Sequence, residues 1–310
     1  MINNEISKIH PILEESVKEF PKKARLSYAL FPLYEAEVIR DVFEVAILGN
    51  KHLSLDKYKR NYRERSYNKN KKPSKLMKTE RYTIEAIVDK DELMGAVDIH
   101  KALILKEERL ELGYEDLMNS LEYEQMKLVC NKETFETIGH FREPEAAQKW
   151  DHKDSNPIEH IAYAKQTIKS KIGFYPNTVI ISDPVWQKLR YKKNLLDAVP
   201  FTQVRAGLTP EDFGHIIEVE RVIIADSMIQ TEGNMEFIWS QDVILAYVPT
   251  QIISLDKPSF GVTIRCPLTN ENFRQWTDES SSTQITAIDE YIAWGVCNYE
   301  AGFFFKNVIG

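Results

Sequence analysis

The stretch KHLSLDKYKRNYRERSYNKNKKPSKLMKTER, Lys51 to Arg81, decides how the chain is read. It holds twelve Lys or Arg against three acids, Asp56, Glu64 and Glu80, a local balance of +9 in a chain whose formal net charge is -7. So polar and basic a stretch buries too little apolar surface to form a core of its own. Strand-like alternation flanks it, with Phe43, Val45 and Ile47 before and Tyr82, Ile84, Ala86 and Val88 after. The two signals and their Asn-rich connection predict a long β-hairpin over 43–88, with its tip around Tyr67 to Pro73. A paired arm of about 13 residues at about 3.3 Å each reaches roughly 43 Å, whereas a compact chain of this length has a radius of gyration of about 20 Å. A ribbon that overhangs its own globule is marginally stable alone, so it is expected to lie on another subunit.

The region that follows carries the opposite charge. Asp89 to Glu124 contains eleven acids against four bases, a balance of -7. Ile99, Leu103, Leu110, Leu117, Leu121 and Leu128 mark a helical stripe, which predicts one helix of about 30 residues or two joined near Gly113. A charge run is ordinarily a solvated face. A basic arm and an acidic helix in one chain instead favour attraction between like subunits. The expected contacts are Lys57, Lys59, Arg60, Arg63, Arg65, Lys69, Lys71 and Lys72 on the arm, and Glu107, Glu108, Glu111, Glu115 and Asp116 on the helix.

At the N-terminal end, Ile9, Leu13, Val17 and Phe20 recur at helical spacing and predict a short helical arm that packs on its own globule or a neighbour's. The second half alternates short strands and helices. A helix is expected over Ile158–Ile172, with Ile161, Ala164, Ile168 and Ile172 inward and Gly173 as its stop. Thr178 to Ile181 reads as a buried strand, Pro184 to Arg190 and Leu195 to Val199 as helical turns, and Thr209–Pro210 as the opening of another helix. Strands are expected at Arg221–Ala225, Phe237–Trp239, Val243–Val248 and Phe260–Cys266. Two more, near Ile288–Trp294 and Gly302–Val308, are expected to complete an antiparallel sheet that packs on the long helix.

The 310 residues are 43% hydrophobic and 28% charged, which excludes a disordered or collagen-like chain and allows a large core. Cys130, Cys266 and Cys297 are odd in number and show no CxxC spacing, so neither a disulfide framework nor a thiolate zinc site is expected, and a reducing, cytoplasmic site of synthesis is. The N-terminus lacks the apolar core of a signal peptide, and no apolar run approaches the roughly 20 residues of a membrane-spanning helix, so a soluble protein is expected.

Catalytic constellations are wanting. There is no GxGxxG, no GxxxxGK[ST] and no HExxH. The acidic turn at Asp89 and Asp91 places Leu93 and Met94 where a calcium loop needs a ligand and a glycine. His152, Asp154, Ser155 and His160 lie close together, but Ser155 lacks a nucleophile elbow and precedes a helix start, so capping and packing are expected of them. The cysteines are expected to act as small buried hydrophobes. No catalytic residue, metal or cofactor is expected.

Trp150–Asp151, then Ser155, Asn156, Pro157 and Ile158, a helix ending at Gly173, then Pro176, Asn177, Thr178 and Val179 form an ordered series. It continues through Ser182, Pro184, Val185 and Trp186, then Thr209–Pro210, Trp239, Ala246 to Pro249, and Pro258 to Gly261. This series resembles the major capsid proteins of tailed bacteriophages, with the α+β fold first described for phage Hong Kong 97. The resemblance implies an N-terminal arm over 1–42, an extended loop over 43–88, an axial mixed α/β domain over 176–250, and a peripheral domain with a spine helix over 89–175 and 251–310. It also implies a non-enzymatic, self-assembling subunit of hexamers and pentamers in an icosahedral virion capsid assembled in the bacterial host cytoplasm. Its implied partners are copies of itself, separate scaffolding, portal and decoration proteins, and double-stranded DNA contacted non-specifically, with no membrane. A capsid-like cellular compartment and a basic-arm nucleic-acid-binding protein are the alternatives. The short arm leaves scaffolding to a separate protein, and no motif selects a loop lysine for cross-linking.

Overall fold

A computed structural model of the chain describes residues 11–20, 26–47, 74–96, 99–198, 207–231, 233–250, 255 and 259–310. Helices α1 (Pro11–Glu19) and α2 (Ser27–Leu30) precede strands β1 (Leu33–Glu35), β2 (Val42–Ala46), β3 (Ser74–Lys78) and β4 (Glu80–Asp89). Then come α3 (Lys90–Gly95), the 31-residue α4 (Ile99–Val129), α5 (Lys132–Thr137), β5 (Phe141–Arg142) and α6 (Pro157–Ile172). Next are β6 (Thr178–Ser182), α7 (Asp183–Leu189), α8 (Lys193–Leu196), α9 (Pro210–Ile217), β7 (Arg221–Ala225), β8 (Met228–Thr231), β9 (Asn234–Phe237) and β10 (Val243–Ala246). Strands β11 (Gly261–Arg265), β12 (Phe273–Asp278), β13 (Thr283–Val296) and β14 (Gly302–Phe305) finish the chain.

The strands form two five-stranded sheets. In the first, the 14-residue β13 is the hub: β11 and β12 pair with it antiparallel along one edge and β4 along the other, while β1 joins β11 in parallel. The second runs β5-β14-β10-β6-β7. Every residue of β6, β10 and β14 is buried, which explains why their sequences are continuous apolar runs instead of alternating ones. Helix α6 lays Ile161, Ala164, Ile168 and Ile172 on this second core and ends at Gly173, whose φ of 81° is the left-handed conformation that glycine adopts without strain. Helix α9 opens with a capping box between Thr209 and Asp212, with Pro210 in its first turn.

Three sequence expectations come out differently. Strand β2 pairs with β3, from Val42↔Lys78 to Ala46↔Ser74, whereas β4 turns away at Thr79 and runs beside β13 from Glu80↔Ile292 to Asp89↔Thr283. Burial is the reason: Ile84 and Ala86 need a cover, and Leu110, Tyr114 and Met118 of α4 supply it. Gly113 allows that approach, because a Cβ there would stand 2.8 Å from Ile84 Cγ2. The strand expected at Phe237–Trp239 ends at Phe237, and Trp239 turns inward. Finally, Gly302–Phe305 joins the second sheet between β10 and β5 and not the sheet beneath the long helix, since three consecutive buried phenylalanines require cover on both faces.

Candidate assembly surfaces

The long helix is unbroken across Gly113. Its buried stripe is Leu110, Tyr114, Met118, Leu121 and Val129, and three polar residues, Lys106, Glu122 and Gln125, lie buried with them. Ile99, expected on the inner stripe, is 62% exposed. Helix α1 packs on this same helix through Leu13 and Val17, and Phe20 just beyond its end sets its ring 6.0 Å from that of Tyr114, so the N-terminal helix covers its own globule.

Glu122 ties α4 to the other sheet's surroundings. Its Oε1 accepts from the Trp239 indole N–H at 2.9 Å and its Oε2 from the Ser227 hydroxyl at 2.9 Å. Burial raises the pKa of its carboxyl above the ordinary value, and the two donors pull the other way. Beneath the helix, Arg265 on β11 donates through Nε to Glu290 Oε2 on β13 at 2.7 Å and through its other arm to Oε1, a bidentate pair in which the Glu290 side chain is fully buried. Burial together with Tyr28 and Glu290 drives the pKa of the Tyr114 hydroxyl far upward. At the far end of the helix, Lys106 donates to Gln275 Oε1 at 3.2 Å, and burial lowers the pKa of its ammonium.

On the outer side of α4, Glu108 and Asp116 are exposed and Glu107, Glu111 and Glu115 are half-buried. Ile104 and Leu112, at 53% and 54% exposure, lie between the exposed acids at spacings of four, so the outward line alternates apolar and acidic. Hairpin β2–β3 is similarly mixed. Phe43, Val45 and Met77 turn inward, while Val42 and the 69%-exposed Leu76 face outward beside Glu44 and Lys78. Lys75 anchors its foot by donating to the Val296 carbonyl at 3.1 Å. The loop positions Lys57, Lys59, Arg60, Arg63, Arg65, Lys69, Lys71 and Lys72 lie outside the described residues. Charge reading alone missed the exposed apolar residues; the signal was their position off the inward stripe.

The His152–His160 cluster serves the fold. Ser155 Oγ donates to the His152 carbonyl at 2.9 Å, and His160 Nδ1 accepts from the Trp150 indole at 3.0 Å. Cys266 and Cys297 are buried one residue past the ends of β11 and β13, and burial pushes the Cys297 thiol up to about 12. Among the described residues no group of three or more metal-ligating side chains converges, and no helix is long and apolar enough to cross a membrane.

No family model matches the chain. A protein named major capsid protein, from Burkholderia phage BcepMu, is 23% identical over 266 residues, covering 83% of each chain. The crystal structure of a phage-related protein from Bordetella bronchiseptica RB50 superposes with a TM-score of 0.79 at 19% identity, over 97% of this chain and 98% of that one. The chain has the Hong Kong 97-type capsid fold. A virus-like particle from Pyrococcus furiosus shares this capsid fold with a TM-score of 0.52 at 14% identity, over 94% of this chain and 96% of that one. Helix α4 is the long, unbroken helix expected from the sequence, and β2 and β3 pair antiparallel on either side of residues 48–73.

Proposed function

We propose that this chain is a major capsid protein, the self-assembling shell subunit of a tailed-phage head that encloses double-stranded DNA, with a structural and not a catalytic task. One observation carries this reading: sequence similarity to a protein named major capsid protein spans 83% of the chain, and the capsid fold spans 97% of it. On this reading the chain divides into an arm, the extended loop, a peripheral domain built on α4 and an axial domain built on the second sheet. The loop of one copy lies on the α4 face of the next, its basic residues opposite Glu107, Glu108, Glu111, Glu115 and Asp116. Single exposed ion pairs contribute about 0–1 kcal/mol. Cohesion therefore depends on many pairs together with the apolar residues among them, Ile104 and Leu112 on the helix and Val42 and Leu76 on the hairpin. Copies of the chain, with separate scaffolding and portal proteins, close the head in the host cytoplasm.

Removing residues 57–72 tests the loop's role. Light scattering is expected to show soluble capsomers or monomers where the full chain gives shells; shells of normal size from the shortened chain would refute the loop contact. A nuclease-protection assay on purified particles separates a DNA-filled head from a compartment filled with protein.

A further inference from the structure

Four aromatic side chains stand out as exposed among the described residues, Tyr163, Phe174, Tyr175 and Tyr191, and all fall between residues 163 and 191. The surrounding stretch, residues 153–193, carries eight Lys or Arg against three acids, whereas the whole chain has a net charge of -7. Helix α6 runs through it and turns Tyr163, Gln166, Lys169 and Ser170 to solvent, side-chain types that contact phosphate oxygens without reading sequence. At its C-terminal end Lys169 Nζ lies 3.8 Å from the centre of the Tyr175 ring, and Phe174 stacks on Tyr247 at 5.1 Å. At its N-terminal end the corner between α7 and α8 is tied on. Lys192 donates to the His152 carbonyl at 2.7 Å, and Asn194 donates to the Ser155 carbonyl at 3.2 Å. That corner adds the exposed Lys188, Tyr191 and Lys193. The 16-residue α6 spans about 24 Å, so lysines at its two ends are separated by the rise of several phosphates along one strand.

We propose that this α6 strip is the surface that meets the phosphate backbone of the packaged double-stranded DNA, which places it on the interior of the shell. The proposal rests on the shell reading and adds the face that touches the genome. Phosphate neutralisation predicts contacts that are indifferent to sequence and steeply dependent on salt.

The test measures binding of purified subunits to a 30-base-pair duplex by fluorescence anisotropy across a salt series. It compares the full chain with a Lys169→Ala, Lys171→Ala, Lys188→Ala, Lys193→Ala variant and with Lys127→Ala, an exposed spine-helix lysine, as control. The basic loop is identical in all three, so its contribution cancels. The slope of log affinity against log salt is expected to become shallower by about 0.9 for each lysine that touches phosphate, with at least a tenfold loss of affinity at moderate salt and no change in the control. An unchanged slope in the fourfold variant, an equal change in the control, or a marked preference for single strands over the duplex would overturn the proposal. Electron microscopy of the same preparations separates the two ideas. Shells from both the wild type and the fourfold variant, with an unchanged duplex slope, defeat the α6 surface alone, whereas a wild type that forms no shells defeats the capsid reading.

Discussion

The two sheets solve the same packing problem with different materials. The β5-β14-β10-β6-β7 sheet is filled by apolar side chains, with Phe303, Phe304 and Phe305 beside Val179, Ile181, Ile244 and Leu245, all essentially inaccessible. The sheet around β13 and its covering helix bury Arg265 with Glu290, Lys106, Glu122 and Asp289 among the hydrophobes. An apolar sheet is stabilised by burial wherever its volume is filled. A sheet threaded with charges is stable only in the arrangement that satisfies them. On the side of the molecule that carries the β2–β3 hairpin and α4, the buried Arg265 and Glu290 are paired in one strand register.

This contrast can be broken by substitution, with stability read from urea unfolding of the chain lacking residues 57–72 at a concentration where light scattering shows it monomeric. Arg265→Met should cost about 3–5 kcal/mol by leaving Glu290 charged and buried, and adding Glu290→Leu should recover most of that loss. A double variant as unstable as the single one would show that the pair itself, and not the orphaned charge, is what matters. Phe304→Ala in the other sheet should cost a comparable 3–5 kcal/mol, but with no partner substitution able to restore it. Glu122→Leu should cost about 1–3 kcal/mol, because the Trp239 indole and the Ser227 hydroxyl lose their acceptor.

Acid and base should distinguish the two regions by sign. Burial raises the carboxyl pKa of Glu122. The folded state therefore holds this proton more tightly than the unfolded one. The resulting stabilisation is full below the unfolded carboxyl range and is lost as pH rises through the folded value. Glu122→Gln should flatten that decline. His140, whose Nδ1–H donates to the Gly302 carbonyl at 2.7 Å beside the apolar sheet, has its pKa lowered by burial. Its contribution is full above the unfolded value of about 6.5 and is lost as pH falls toward the folded one. His140→Gln should blunt the acid side of the profile and leave the Glu122 side unchanged. If both substitutions moved the same limb, the assignment of opposite signs would be wrong.

The apolar sheet was the more legible of the two in the sequence. Continuous runs such as Thr178–Ile181 and Val243–Val248 announce strands buried on both faces, and Gly173 and Thr209–Pro210 mark the ends of the helices beside them. Strand β14 was legible as a strand but not as to its sheet, since nothing local says that its partner is β10, more than fifty residues earlier. The charged sheet hid its logic. Arg265, Glu290 and Glu122 look like surface residues until pairing places them opposite a partner or a donor. Strand β4 shows the same limit: its period of two fixes which face is buried, but not whether β2 or β13 lies alongside. The exposed Ile104 and Leu112 were visible as apolar residues, yet only the stripe centred on Leu110, Tyr114 and Met118 reveals that they point outward.

Negative-stain electron microscopy of the purified full-length chain at increasing concentration tests the central claim most directly. Closed particles of uniform diameter built from hexameric and pentameric clusters are expected. A concentration-independent monomer, with no shells under any salt condition, would contradict the assembly function at its root.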